Sequence, residues 1–164
     1  LRPLGIDFLN VLGGGGQSSR LYQEVREKRG LAYSAYSYLM PFDNAGLYIG
    51  GVGTQNARVA ETLATIRAEL VRMRDGGITK QELADAKTYI NGSFPLRLTS
   101  SGRIAGLLLA MQRHGLGLDY LERRARIYDA ISRDDVRRVA KRLLQPEKMY
   151  VVVVGAPAGL ESDD

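Results

Sequence analysis

The sequence predicts an α+β domain: three strand-like runs stand beside five or six helical ones. Residues 31–41, LAYSAYSYLMP, are rich in Tyr and carry no charge. They are followed by the turn chemistry of FDNAG and a second run, GLYIGGVGT, so that the two make an antiparallel hairpin. From residue 56 onward, apolar residues recur at helical spacing between capping signals. Near the end MYVVVVG, apolar on both faces, reads as a strand interior to a sheet.

Taken in order, Leu4, Phe8 and Leu12 form a helical stripe with Val11 beside it, while Ile6 and Leu9 fall outside it; the glycines at 13–16 end that helix. Ser18 or Ser19 offers an N-cap for SSRLYQEVREKR, in which Leu21 and Val25 lie one turn apart and Gly30 is placed as the stop. In the strand that follows, alternation puts Leu31, Tyr33 and Leu39 on one face and Tyr36 and Tyr38 on the other. Helix resumes at 56–75 with the stripe Val59, Leu63, Ile66, Leu70, Met73. Thr79 and Glu82 form a capping box for the next helix, which Pro95 interrupts. SSGRIAGLLLAMQRHG and DYLERRARIYDAI are two further helices, and Ser132 with Asp135 opens the last, SRDDVRRVAKRLL. A central VVVV strand needs neighbours on both sides, which one hairpin cannot supply, so the expectation is a sheet lacking its first strands. Residues 1–155 read as a single domain with 156–164 as an acidic tail, and the start at Leu1 reads as a processed product or a piece of a longer protein.

Composition excludes several chemistries. The chain has 164 residues, no Cys and one His, so disulfides, thiolate zinc sites, Cys nucleophiles and any two-histidine metal site are ruled out. No run approaches the ~18 apolar residues of a membrane span. Twenty-three basic against eighteen acidic residues give +5, a mild excess dominated by Arg. In the basic stretch 123–142, acids are interleaved with the arginines, which reads as solvated helix faces with local ion pairs rather than a nucleic-acid stripe. The run GGGGQSSR fits a phosphate loop in no register and reads as a turn between helices. Gly51-x-Gly53-x-x-Asn56 lacks the third glycine and the βαβ unit of a dinucleotide site. His114, at a helix end, complements the helix dipole without further chemistry.

The informative stretch is residues 18–37, SSRLYQEVREKRGLAYSAYS: a helix with a basic last turn (Arg26, Lys28, Arg29), a tight turn at Gly30 and a strand lined with tyrosines. Arg26 can be a charge complementing the helix dipole and Tyr33 a half-buried strand aromatic. Alternatively, guanidinium and phenol meet across the turn to bind an extended peptide or a developing oxyanion. Local sequence leaves both readings open.

LGGGGQSSRLYQEVREKRGLAYS, followed by the hairpin, by GGITKQELADAKTYINGSF and by SRDDVRRVAKRLLQPEKMYVVVVG, resembles the inverzincin zinc peptidases. These are pitrilysin, the insulin-degrading enzymes, the mitochondrial processing peptidases and their bacterial relatives. The likeness is to the family's C-terminal homologous domain and runs over roughly Val11 to Gly155. The resemblance implies a LuxS/processing-peptidase-like metallohydrolase domain with an antiparallel-rich sheet flanked by helices. Two such domains form a half, and two halves close as a clamshell around a peptide. It implies that zinc sits on H-x-x-E-H in the other type of half. With a single histidine this chain cannot hold that motif, so it contributes no catalytic residue and no metal ligand. The Arg and Tyr that the family's opposing half contributes, seven residues apart, correspond to Arg26 and Tyr33, which would anchor substrate and polarise the scissile carbonyl. The implied partners are a peptide substrate and a zinc-bearing homologous half or subunit, with self-association of the fragment through its unpaired sheet edge. A non-catalytic assembly subunit of the same fold is the alternative, and such a subunit need not retain the Arg26/Tyr33 pair. The compartment stays open, with the periplasm suggested only by the family's exported bacterial members.

Overall fold

The structure is a computed structural model that describes residues 6–14, 16–42 and 45–160. Leu4 of the first stripe, Gly15, the turn residues Asp43 and Asn44, and the acidic tail residues 161–164 lie outside the described residues.

The architecture is α+β, a two-stranded hairpin with helices packed on one of its faces. A 3-10 turn, Ile6–Leu9, leads into α1, Asn10–Gly13. Phe8 and Leu12 are buried as the stripe requires; Leu9, which falls outside the α stripe, is buried as well, because the tighter 3-10 turn rotates it inward. Gly13 belongs to the glycine run for a packing reason. A Cβ there would overlap the Ser37 side chain and backbone nitrogen, so its absence lets the end of α1 rest directly on the sheet.

The next helix departs from expectation in two ways. Ser19 does not cap it through its side chain: its Oγ donates to the Gly16 carbonyl (2.8 Å), and a 3-10 turn, Gly16–Ser18, precedes the helix. Residues Tyr22–Glu27 then wind as a π-helix rather than an α-helix. The closure at Gly30 (φ 57°) reflects this. Gly30 N–H bonds the Arg26 carbonyl and Leu31 N–H the Val25 carbonyl, each one residue farther back than in an α-helical Schellman end.

Strand β1, Ala32–Pro41, pairs antiparallel with β2, Gly46–Thr54, in the register Ser34↔Gly53 through Pro41↔Gly46. Ala32 pairs with Thr54, so the register shifts between Ala32 and Ser34 and Tyr33 is left as a bulge. Ala35, Ser37 and Leu39, with Val52 and Tyr48 opposite Ala35 and Leu39, face the helices, while Tyr36 and Tyr38 point outward with rings stacked 6.2 Å apart. The Tyr48 hydroxyl shares a 2.7 Å hydrogen bond with Ser37 Oγ, and burial pushes its phenol up to about 12.

After a 3-10 turn at Asn56–Arg58 comes α2, Val59–Gly76, whose stripe Val59, Leu70 and Met73 is buried and whose Leu63 and Ile66 are partly so. Helix α3, Lys80–Gly92, starts at the Thr79–Glu82 capping box, and a 3-10 turn holding Pro95 follows it. Then come α4, Ser101–Arg113, with His114 at its C-cap, α5, Tyr120–Asp129, and α6, Arg133–Leu143, which opens on the Ser132–Asp135 box. Val136, Val139 and Leu144 join Phe8, Leu12, Val25, Leu31 and Met73 in one core.

The expected last strand is not formed. Residues 149–154 pair with no strand among the described residues. Their exposure nonetheless alternates, with Tyr150 at 97%, Val152 at 89% and Val154 at 95% against Val151 at 38% and Val153 at 39%, as in an extended chain. A groove of about 650 Å³ lies between this segment and β2, floored by Leu63, Ile66 and Leu70 of α2. The composition suits a strand buried on two sides, but the described residues do not supply the ladder partners such a strand requires.

Candidate functional site

The π-helix, the Gly30 turn and the bulge in β1 bring Arg26 and Tyr33 together. The Arg26 Cζ lies over the Tyr33 ring, 5.1 Å from its centroid. It also lies over the Tyr22 ring, at 4.8 Å, so two aromatic faces hold one guanidinium. Among the described residues its carboxylate neighbour is Glu27, at 3.7 Å, beyond hydrogen-bond reach, and no hydrogen bond occupies its N–H donors. The other two cations of that turn are committed locally. Lys28 Nζ donates to Glu24 Oε1 at 2.6 Å, and Arg29 donates to Glu24 Oε2 and to the Glu24 carbonyl. The Lys28 hydrogen bond, then that of Arg29, holds the Glu24 carboxyl below its ordinary value against the opposing push of burial. Of the three cations that end the helix, Arg26 is thus the one that no carboxylate holds by a hydrogen bond among the described residues.

The turn beneath the pair is pinned from the neighbouring elements. Thr54 Oγ1 donates to the Leu31 carbonyl and Arg58 Nη1 to the Gly30 carbonyl, each at 2.6 Å. Tyr33 is 82% exposed and borders an open depression of about 420 Å³ formed by residues 30–34 and 53–55. Strict alternation places Tyr33 on one face with Leu31 and Leu39. Instead, the bulge takes Tyr33 out to solvent while Leu31 enters the core and Leu39 is half-buried. Chemically, the arrangement offers a guanidinium with unoccupied donors and a phenol beside the end of a hairpin, a constellation suited to carbonyl or carboxylate oxygens.

The donor set does not fit zinc. Among the described residues no three His, Cys, Asp or Glu side chains are grouped to hold a metal ion, and the chain has one His and no Cys. Nor is any helix among the described residues long and apolar enough to cross a membrane.

Sequence reasoning missed Tyr22. The signal was present, since an aromatic four residues before an Arg lies on the same helix face. The π-winding and the bulge carry no comparable local signature.

The helix-flanked hairpin, with no metal-binding group among the described residues, is the fold of peptidase-family inactive domains. The family profile described as the Peptidase M16 inactive domain matches residues 2–90, and the chain belongs to that family. It is 39% identical to an uncharacterized zinc protease of Streptomyces coelicolor over 87% of this chain and 31% of that protein. A crystal structure of a peptidase M16 inactive domain from Pseudomonas fluorescens superposes with a TM-score of 0.80 at 32% identity, covering 90% of this chain and 34% of that one. An inactive peptidase domain from Bordetella parapertussis shares the fold at a TM-score of 0.76 and 19% identity, over 96% of this chain and 86% of that one. The chain therefore spans about a third of the length of the curated relative and of the Pseudomonas chain.

Proposed function

We propose that this domain is the substrate-binding, metal-free part of a pitrilysin-type zinc metallopeptidase that cleaves peptides between two halves closing like a clamshell. The observation that carries the reading is the Arg26–Tyr33 pair, assembled at the exposed end of the hairpin with the guanidinium donors unoccupied among the described residues. Both side chains can donate to carbonyl oxygens of an extended peptide, and a guanidinium aimed at a scissile carbonyl stabilises the charge that develops there. The zinc belongs to a homologous half or partner subunit, which supplies the hydrolytic chemistry; Arg26 and Tyr33 bind and orient. The uncharged outer face of the hairpin, with Tyr36 and Tyr38, suits apolar peptide side chains. Among the described residues the edge of β2 is unpaired and segment 149–154 is open, which further supports self-association of this chain.

The test is Arg26→Ala and Tyr33→Phe in the assembled peptidase, this domain with its metal-bearing half. Each should lower kcat/KM, by about 2.7–4 kcal/mol of transition-state stabilisation where the group serves an oxyanion and less where it positions. Zinc content and the circular dichroism spectrum should stay unchanged. Wild-type turnover from a folded double variant would return both residues to a helix-end charge and a strand aromatic, the outcome a purely structural subunit of this fold predicts.

A further inference from the structure

We infer that Tyr22 is a third member of this site, a positioning residue that holds the Arg26 guanidinium ready for a ligand. The inference rests on the reading of Arg26 given above. Tyr22 stands one helical turn before Arg26, half-buried at the start of the π-helix, and the guanidinium carbon lies 4.8 Å from its ring centroid. A ring face attracts a cation through its quadrupole and takes none of its N–H donors. A carboxylate in the same place would compete for the donors that a substrate oxygen needs. Glu24 meets this description for Lys28 and Arg29, whereas Arg26 rests on Tyr22 and Tyr33.

The two rings differ in what they can do. Tyr33 is 82% exposed at the bulge, where a bound peptide can reach it. Tyr22 is anchored in the helix that also carries Arg26, so it keeps the guanidinium in place when Tyr33 turns to the ligand. A long Arg side chain that is ordered beforehand loses less rotamer freedom on binding. Tyr22 therefore acts through Arg26, not on the substrate.

A double-mutant cycle in the assembled peptidase tests this, with kcat/KM measured for the wild type, Tyr22→Leu, Tyr22→Phe, Arg26→Ala and Tyr22→Leu/Arg26→Ala. Tyr22→Leu should lower kcat/KM by about two- to fivefold, the range expected of an exposed cation–π contact. Tyr22→Phe, which retains the ring, should restore it. In the Arg26→Ala background Tyr22→Leu should cost nothing more, because the group it positions is gone. In this chain alone, the upfield ring-current shifts of the Arg26 side-chain protons should relax in Tyr22→Leu and persist in Tyr22→Phe. Tyr22→Met, of similar bulk and without a ring, repeats the test should Tyr22→Leu fail to fold. Full activity in Tyr22→Leu, equal damage from Leu and Phe, or independent penalties in the double variant would each overturn the inference while the role of Arg26 stood. Wild-type turnover in Arg26→Ala would overturn both.

Discussion

Glu82 ties two segments of the chain together through one carboxylate. It accepts from Arg20 Nε at 2.6 Å and Nη2 at 2.8 Å, a bidentate pair, and from the Thr79 N–H at 2.7 Å. Arg20, only 7% exposed, also donates to the Gly77 carbonyl, so the pair fastens the π-helix segment to the α2–α3 turn. Burial pushes the Glu82 carboxyl up, but the Arg20 hydrogen bond and the Thr79 N–H outweigh it and hold the group at about 2, against an ordinary 4.5. Because the folded value lies below the unfolded one, the unfolded chain binds the proton first. The stabilisation is complete above the unfolded value of 4.5 and is lost as pH falls towards about 2. Urea unfolding across that window should show a loss of about 1–3 kcal/mol from this group, discounted for partial solvent access. Glu82→Gln should remove that portion of the pH dependence. It should also cost about 3–5 kcal/mol near neutrality, since it leaves a buried guanidinium without its counter-charge. The same acid slope in both proteins would show that Glu82 is not the titrating group.

At the scale of elements, the unpaired strands carry the next expectation. The nine residues of β2 have β1 on one side and no strand on the other among the described residues, and the alternating segment 149–154 lacks ladder partners too. Exposed strand edges with apolar side chains recruit other chains. The isolated chain should therefore show concentration-dependent association in sedimentation velocity, and Val152→Lys, a charge on the exposed side of that segment, should weaken it. A monomer at every concentration, with β2 amides protected from exchange, would count against edge pairing. These elements also mark where the sequence stops being legible. The hairpin bounds and the two capping boxes could be read directly, because Tyr alternation, a Gly-containing turn and Thr79–Glu82 or Ser132–Asp135 act within a few residues. The π-winding over Tyr22–Glu27 and the bulge at Tyr33 answer to longer-range demands: Leu31 must reach the core while the strand still pairs with β2. Valines 151–154 read as a central strand because composition reports a taste for burial, not the presence of a neighbour. Arg124 is a comparable case. It sits in a run that reads as a solvated face, yet it is buried with its Cζ over Phe94 at 4.1 Å and Tyr128 at 4.6 Å, while it donates to the Ile90 carbonyl.

For the whole molecule, the division of labour follows from which donors the chain possesses. Arg26 and Tyr33 could be picked out in the sequence only because their spacing matches a family pattern, and the structure adds the physical reason they meet: a Gly30 turn that reverses the chain and a bulge that frees Tyr33. Tyr22 stayed hidden because a helical aromatic is usually a packing residue, and its contact with Arg26 is visible only once side chains are placed. With one His and no Cys, a closed zinc site would have to be built from carboxylates, and those placed in the structure are ion-paired or dispersed rather than convergent. Glu24 and Glu82 are each held to cations, and releasing them to bind a metal would leave Lys28, Arg29 or Arg20 without their counter-charges. The isolated chain should therefore retain no stoichiometric zinc after dialysis against metal-free buffer. Without a bound zinc to generate a hydroxide nucleophile at neutral pH, it should not hydrolyse a generic peptide either. It should still bind an extended peptide weakly, and Arg26→Ala should reduce that binding while leaving the zinc measurement unchanged. One tightly held zinc per chain by elemental analysis, or cleavage that survives repurification and a chelator wash, would place hydrolytic chemistry in this domain and count against the binding role proposed for Arg26 and Tyr33.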